Sequence, residues 1–257
     1  MINIDLHSGN RLKIPTQWSE ITVSQAEAIF RLSKRLPNYV VKEYALWYEE
    51  QTEDVINQRN KLLEQVTRTD EVKHLPALYG EFIKALSDIS EEDLNTLNRN
   101  DRTLIYNEYI KTKVMGLIHY PDHNPQSIVS FKHNKAEYFL PTTEEGFGVS
   151  VPGVDLVADD FSQVSDLEAN AAGLSGGRWE LAPLIIAILC REKVKGVKKP
   201  YNEKEAIERS HLLKDLPMNI VFDVFFCLDR LSVTYMNISQ TLIQGGLVTN
   251  QSLRGGI

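Results

Sequence analysis

The sequence predicts an α+β protein, predominantly α-helical, with two helical lobes each opened by a small β-hairpin. Three observations predict it. Apolar residues recur at three-to-four spacing over most of the chain. Strict alternation is confined to short stretches near residues 1–15 and 128–140. The order of hairpin, Leu/Ile-Pro-Thr, loop and helices occurs in each half, which reads as an internal pseudo-repeat or as two independent hairpins. The 257 residues, 42% hydrophobic and 25% charged, can bury a real core, so a folded chain is expected rather than a disordered one.

In the first half, Ile2, Ile4 and Leu6 alternate with polar residues, His7-Ser8-Gly9-Asn10 supplies a turn, and Leu12 and Ile14 resume the alternation before Pro15. A helix is expected from Thr22, whose hydroxyl pairs with Gln25 in a capping box. Residues 38–68 carry a helical pattern with a break at Gln51-Thr52-Glu53. Further helices are expected over Pro76–Ser87, from an acidic start at Ser90-Glu91-Glu92-Asp93, and over Asp101–Ile118 with Leu104, Ile105, Tyr109, Val114 and Leu117 apolar.

Tyr120–Pro125 is a breaker and sets the domain boundary: residues 1–120 form the N-terminal hairpin and helical lobe, residues 121–257 the C-terminal hairpin, lobe and tail. In the second half, Ile128, Val129 and Phe131 give a strand, Lys132–Lys135 the turn, and Glu137–Leu140 the returning strand. A helix start at Asp160–Gln163 follows, then helical patterns over Trp179–Glu192, Asn202–Leu213 and Pro217–Ile238. The last is apolar almost all round, with a narrow polar stripe through Asn219, Asp223 and Arg230, as expected of a central or partner-packed helix.

A net charge of −7 argues against a DNA-coating or polybasic membrane protein and suits a chain kept in solution by self-repulsion. The opening residues lack a basic stretch followed by an apolar run, and the longest apolar run is too short for a bilayer span, so neither a signal peptide nor a membrane segment is expected. Cys190 and Cys227 sit inside apolar runs and read as buried hydrophobes, with a disulfide as the alternative.

No motif for catalysis, metal or cofactor is expected to function here. His119 and His123 have helical metal-ligand spacing, but Pro121 between them favours a turn with two exposed rings. Gly173–Gly177 lacks the Gly-Lys-Ser/Thr ending of a phosphate loop and reads as a hinge between helices. Arg191, Lys193, Lys195, Lys198 and Lys199 form one dense basic run, either a solvated connector after a helix or a contact for a polyanion; without interleaved aromatics, DNA contact is not favoured. The Gly-rich tail from Gly245 reads as mobile in isolation and held either by a partner, with Leu253 and Ile257 as the contacts, or by docking on its own chain.

Glu137-Tyr138-Phe139-Leu140-Pro141, the helix with Leu181–Arg191, Tyr201-Asn202-Glu203, and Leu216-Pro217-Met218 before Phe225-Phe226 follow in an order that resembles uncharacterised proteins of tailed bacteriophages, including phages of Bacteroides-like hosts. The opening Ile14-Pro15-Thr16, Trp18, Ile21-Thr22 and Gln25 are similar to the same proteins. The resemblance implies a non-enzymatic structural or cargo protein of the virion, made in the host cytoplasm and bound to other phage structural proteins, with a homo-oligomer as one form. The alternative it implies is a tail assembly chaperone absent from the finished particle. It carries no catalytic residues and no cofactor.

Overall fold

The computed structural model describes residues 1–6, 8–68, 73–119, 124–141, 164, 166, 167, 169, 171 and 173–229, and the backbone alone at 65–68 and 198. The expected break at 120–123, the helix start at Asp160–Gln163, and everything beyond Asp229 lie outside them. The described chain is a predominantly helical α+β protein, as the spacing predicts. It divides into two compact units that are not simply the two halves of the sequence. The first comprises residues 1–124 together with 170–183 and 214–219; the second comprises 125–169, 184–213 and the residues from 220 onward.

In the first unit, β1 (Ile2–Asp5) and β2 (Arg11–Ile14) pair antiparallel, with Ile2 opposite Ile14 and Ile4 opposite Leu12. Leu12 and Ile14 are buried, so the alternation lays one face of the hairpin on the helices. The turn closes through Leu6 N–H to Asn10 O at 2.8 Å and Gly9 N–H to Leu6 O at 3.0 Å, with Gly9 at φ +85° where a side chain would be strained. Its tip is tied down: the Asn10 amide donates to both carboxylate oxygens of Asp93 at 3.0 Å.

Helix α1 (Val23–Ser33) begins at the expected capping box, with Thr22 N–H donating to Gln25 Oε1 at 3.0 Å and Gln25 N–H to Thr22 Oγ1 at 3.3 Å. A second device lies at the same place. Val23 N–H donates to Leu216 O at 3.0 Å, and Met218 N–H donates to Ile21 O at 2.8 Å. The helix over residues 218–229 therefore has its first free N–H satisfied by another segment.

Helix α2 (Asn38–Leu46), the break, and α3 (Glu53–Arg68) follow the expected pattern, as do α4 (Leu75–Leu86) and α5 (Glu91–Thr96), which Ser90 caps by accepting from Asp93 N–H at 3.0 Å. The helix expected over 101–118 differs. Asn98 caps α6 (Arg99–Ile105), a π-helical turn occupies Tyr106–Ile110, and α7 is Lys111–Ile118. The inserted turn shifts the inward face, so Tyr106 and Ile110 are buried while Leu104 is 61% exposed.

In the second unit, β3 (Ser130–His133) and β4 (Ala136–Phe139) pair with Phe131 opposite Tyr138, their rings stacked at 5.3 Å. The turn is shorter than the sequence suggested. Asn134 (φ 47°) and Lys135 (φ 66°) form a two-residue connection with the twist that antiparallel strands require, which leaves Lys132 and His133 inside the strand. His133 Nε2 and the Asn134 amide reach Leu212 O at 2.9 and 3.3 Å, capping the end of the helix over Glu203–Leu212.

A helix over Arg178–Leu189, here α8, supplies fully buried Ile185 and Ile186, and α9 is Glu203–Leu212. Asn202 caps α9 by accepting from Glu205 N–H at 3.0 Å. In the helix over 218–229, Val221, Val224 and Leu228 are buried, and so is Asp223, which accepts from Gln126 N–H at 2.7 Å. The polar stripe thus holds a buried carboxylate that caps a loop. Cys190 and Cys227 are both free thiols. Among the described residues, no helix is long and apolar enough to cross a membrane.

Candidate functional site

The basic run is not a connector. Lys193–Val194 (β5) and Val197–Lys198 (β6) form a third antiparallel hairpin closed by Lys195 (φ 52°) and Gly196 (φ 81°). The missed signal is the Val-Lys-Gly-Val pattern, two β-formers around a two-residue turn with glycine at a left-handed position. Phe139 N–H donates to Arg191 O at 3.0 Å and Arg191 N–H to Phe139 O at 3.2 Å, which bridges the start of this hairpin to β4.

The five basic residues do not share an environment. Arg191 is buried, Lys199 pairs with Glu192 at 2.5 Å, and the Lys193 ammonium lies 4.6 Å from the Phe139 ring centroid. Lys193 and Lys195 are exposed, and among the described residues neither forms an ion pair. Val194 and Val197 sit directly opposite each other, hence on one face, and are 53% and 71% exposed. The hairpin presents an apolar pair with Lys195 at its tip. Leu253 and Ile257 lie outside the described residues.

A second constellation lies in the first unit, built from residues whose spacing along the chain does not reveal it. Glu43 on α2 is buried, and three groups from distant positions converge on its carboxylate. Trp47 Nε1–H donates at 2.6 Å, Lys111 Nζ lies at 3.0 Å and Arg59 at 3.6 Å. The Arg59 guanidinium lies over the Trp47 ring at 3.7 Å from its centroid, so it contacts carboxylate and indole together. One turn of α2 thus joins α3 to the start of α7.

Beside Glu43, the Tyr44 and Tyr106 hydroxyls share a buried hydrogen bond of 2.6 Å, and Tyr79 stacks on Tyr106 at 4.0 Å. Burial raises the Tyr44 and Tyr106 phenols well above their ordinary value, and pushes Tyr79 up to about 12, because a phenolate would lose its hydration there. All three phenols are neutral at physiological pH, and Tyr44 and Tyr106 are hydrogen-bonding partners. A cavity of about 220 Å³ opens beside them, lined by apolar Val40, Leu63 and Leu75 and by polar Asn107 and Lys111.

The Trp47–Leu63 region carries the largest exposed apolar groups of this unit. Trp47 is 47% exposed, Tyr48, Ile56 and Leu63 are similarly open, and Glu49, Glu50, Glu53 and Asp54 are exposed around them. None of the described residues of α3 with a resolved side chain is fully buried. The apolar stripe of this helix is only half covered by α2.

The glycine-rich segment packs instead of binding phosphate. Gly177 has φ +57°, and a Cβ there would stand 2.6 Å from the Phe30 ring. Gly176 N–H already donates to Glu180 Oε2 at 3.0 Å, placing a carboxylate where a phosphate would have to sit. His119 is half-buried against Tyr48 at 5.3 Å between ring centroids, while His123 lies outside the described residues. Among the described residues, no group of His, Cys, Asp and Glu could hold a metal ion.

No protein-family model matches the chain, and no curated protein or solved structure matches it significantly.

Proposed function

We propose that this protein is a non-enzymatic component of a tailed-bacteriophage particle, a structural or cargo protein that works by binding other phage structural proteins. The phage assignment is supported by the sequence pattern running from Ile14-Pro15-Thr16 to Phe225-Phe226. The observation that carries the binding role is the half-exposed group of Trp47 and Tyr48, just after α2, and Ile56 and Leu63 on α3, with exposed Glu49, Glu50, Glu53 and Asp54 between them in sequence. An aromatic centre with a polar rim is the composition of a protein interface, where tryptophan and tyrosine carry most of the binding energy.

The neutral phenols and the carboxylate already engaged by two cations and an indole fit a structural role for the buried centre. On this reading the protein is made in the host cytoplasm and retained in the virion. Quantitative mass spectrometry of purified particles beside the infected-cell lysate tests it. Stoichiometric presence in particles is expected. Abundance in the lysate with absence from particles would overturn the structural reading in favour of a tail assembly chaperone.

A further inference from the structure

One phenol of the buried centre has no partner. The Tyr44 and Tyr106 hydroxyls bond each other, whereas Tyr79, only 8% exposed, makes no hydrogen bond among the described residues. A buried hydroxyl left without a bond is costly, and Tyr79 lines the cavity of about 220 Å³ in the first unit. We propose that this cavity is a binding site for a small aromatic monocarboxylate, its ring on Val40, Leu75 and Pro76 and its carboxylate accepting from the Tyr79 hydroxyl and the Lys111 ammonium.

The wall sets the charge of the ligand. Burial pushes the Tyr79 phenol up to about 12, so it keeps its proton and can donate. Glu43 faces both Arg59 and Lys111, which leaves one positive charge in excess. The Lys111 ammonium has three N–H donors and lines the cavity, with Glu43 at 3.0 Å. A donor hydroxyl beside one excess cation suits a singly charged acceptor, which a carboxylate is. The floor sets the body: Val40, Tyr44, Leu75 and Pro76 are buried, and an apolar surface of this kind holds an apolar group. A cavity of about 150 Å³ accepts benzene, so about 220 Å³ accepts one ring with a small substituent. The site goes beyond the assembly reading and does not depend on it. Its test uses purified protein, so its failure leaves the particle measurement untouched.

The experiment is a titration of the isotope-labelled full chain with benzoate, followed by backbone amide NMR. Acetate, which lacks the ring, and benzyl alcohol, which lacks the charge, are the comparison probes. Benzoate is expected to give saturable shifts at Val40, Tyr79, Asn107 and Lys111, with a Kd of about 1 mM. Acetate and benzyl alcohol should each bind about tenfold more weakly, because each loses half of the recognition. Tyr79→Phe keeps the ring that stacks on Tyr106 at 4.0 Å and gives up only the hydroxyl, so its amide spectrum should remain that of the folded chain. Its affinity for benzoate should fall about fivefold or more. The comparison of probes on the wild type is decisive whether or not the variant folds. No saturable shift in the wild type, shifts centred elsewhere, acetate binding as tightly as benzoate, or unchanged benzoate affinity in folded Tyr79→Phe would each overturn the proposal.

Discussion

The cations around Glu43 and those of the β5–β6 hairpin are alike in sign and differ in burial and in pairing. Glu43, Arg59 and Lys111 are scattered over the sequence, yet the fold brings Lys111 to 3.0 Å and Arg59 to 3.6 Å from the buried Glu43 carboxylate. The lysines of the hairpin are adjacent in sequence, and Lys193 and Lys195 project into water. A cluster visible in the sequence is visible because its members are local, and local charges are the ones that folding has no need to pair. The cluster that holds α2, α3 and α7 together is the one that sequence spacing hides.

The largest effect that sharpens this contrast is expected at Glu43. Glu43→Leu removes the partner of two cations and of the Trp47 N–H, and is expected to destabilise the first unit by about 3 kcal/mol. Denaturant unfolding followed by tryptophan fluorescence measures it. A change within experimental error would show that the ion pairs are replaced by water at no cost, and the contrast would collapse.

Next comes the phenol pair. Tyr106→Phe leaves the buried Tyr44 hydroxyl without its 2.6 Å partner, at an expected cost of about 1–2 kcal/mol. Adding Tyr44→Phe removes the orphaned hydroxyl as well, so the double variant should cost less than the sum of the singles. Additive losses in the unfolding midpoints would mean the two hydroxyls are not coupled.

Lys195→Glu, in contrast, touches a group exposed at a hairpin tip and should change stability by no more than about 0.5 kcal/mol. A larger loss would show that the hairpin is part of the folding core rather than a presented surface.

How much of this was legible beforehand follows the same division between local and distant. The Thr22–Gln25 box, the Ser90 cap and the first two hairpins rest on residues within a few positions of each other, and the sequence reading placed them. The π turn at Tyr106–Ile110 was not legible, because apolar spacing over 101–118 is compatible with a continuous helix; the burial of Tyr106 beside Tyr44 and Tyr79 is a tertiary fact. The burial of Asp223 was not legible either, because helix periodicity shows a polar stripe but not that Gln126 N–H meets it. The β5–β6 hairpin was missed for a different reason: charge density drew the reading toward a connector, although Val-Lys-Gly-Val was there to be read. Lys193 and Lys195 are the part of the candidate site that the sequence picked out, and Glu43 the part it did not.

Asp93 lies between the two extremes, and its effect should be the smallest, confined to acid. Hydrogen bonds from Ser8, then Asn10 and Ser90, hold its carboxylate below the ordinary value of 3.8, outweighing the modest burial that opposes ionisation. A depressed folded value means that the unfolded chain takes up the proton first. The contribution is therefore complete above about pH 4 and lost as pH falls through the folded value, with no change at neutral pH. Carbon-detected titration of the Asp93 carboxyl should show its pKa returning toward 3.8 in Ser8→Ala, and less so in Asn10→Ala. Because both donors lie in the turn between β1 and β2, an unshifted titration in both variants would mean that the tip of this hairpin is not anchored to α5. The β1–β2 turn would then be free in the way the tip of β5–β6 is, although its strands lie on the core.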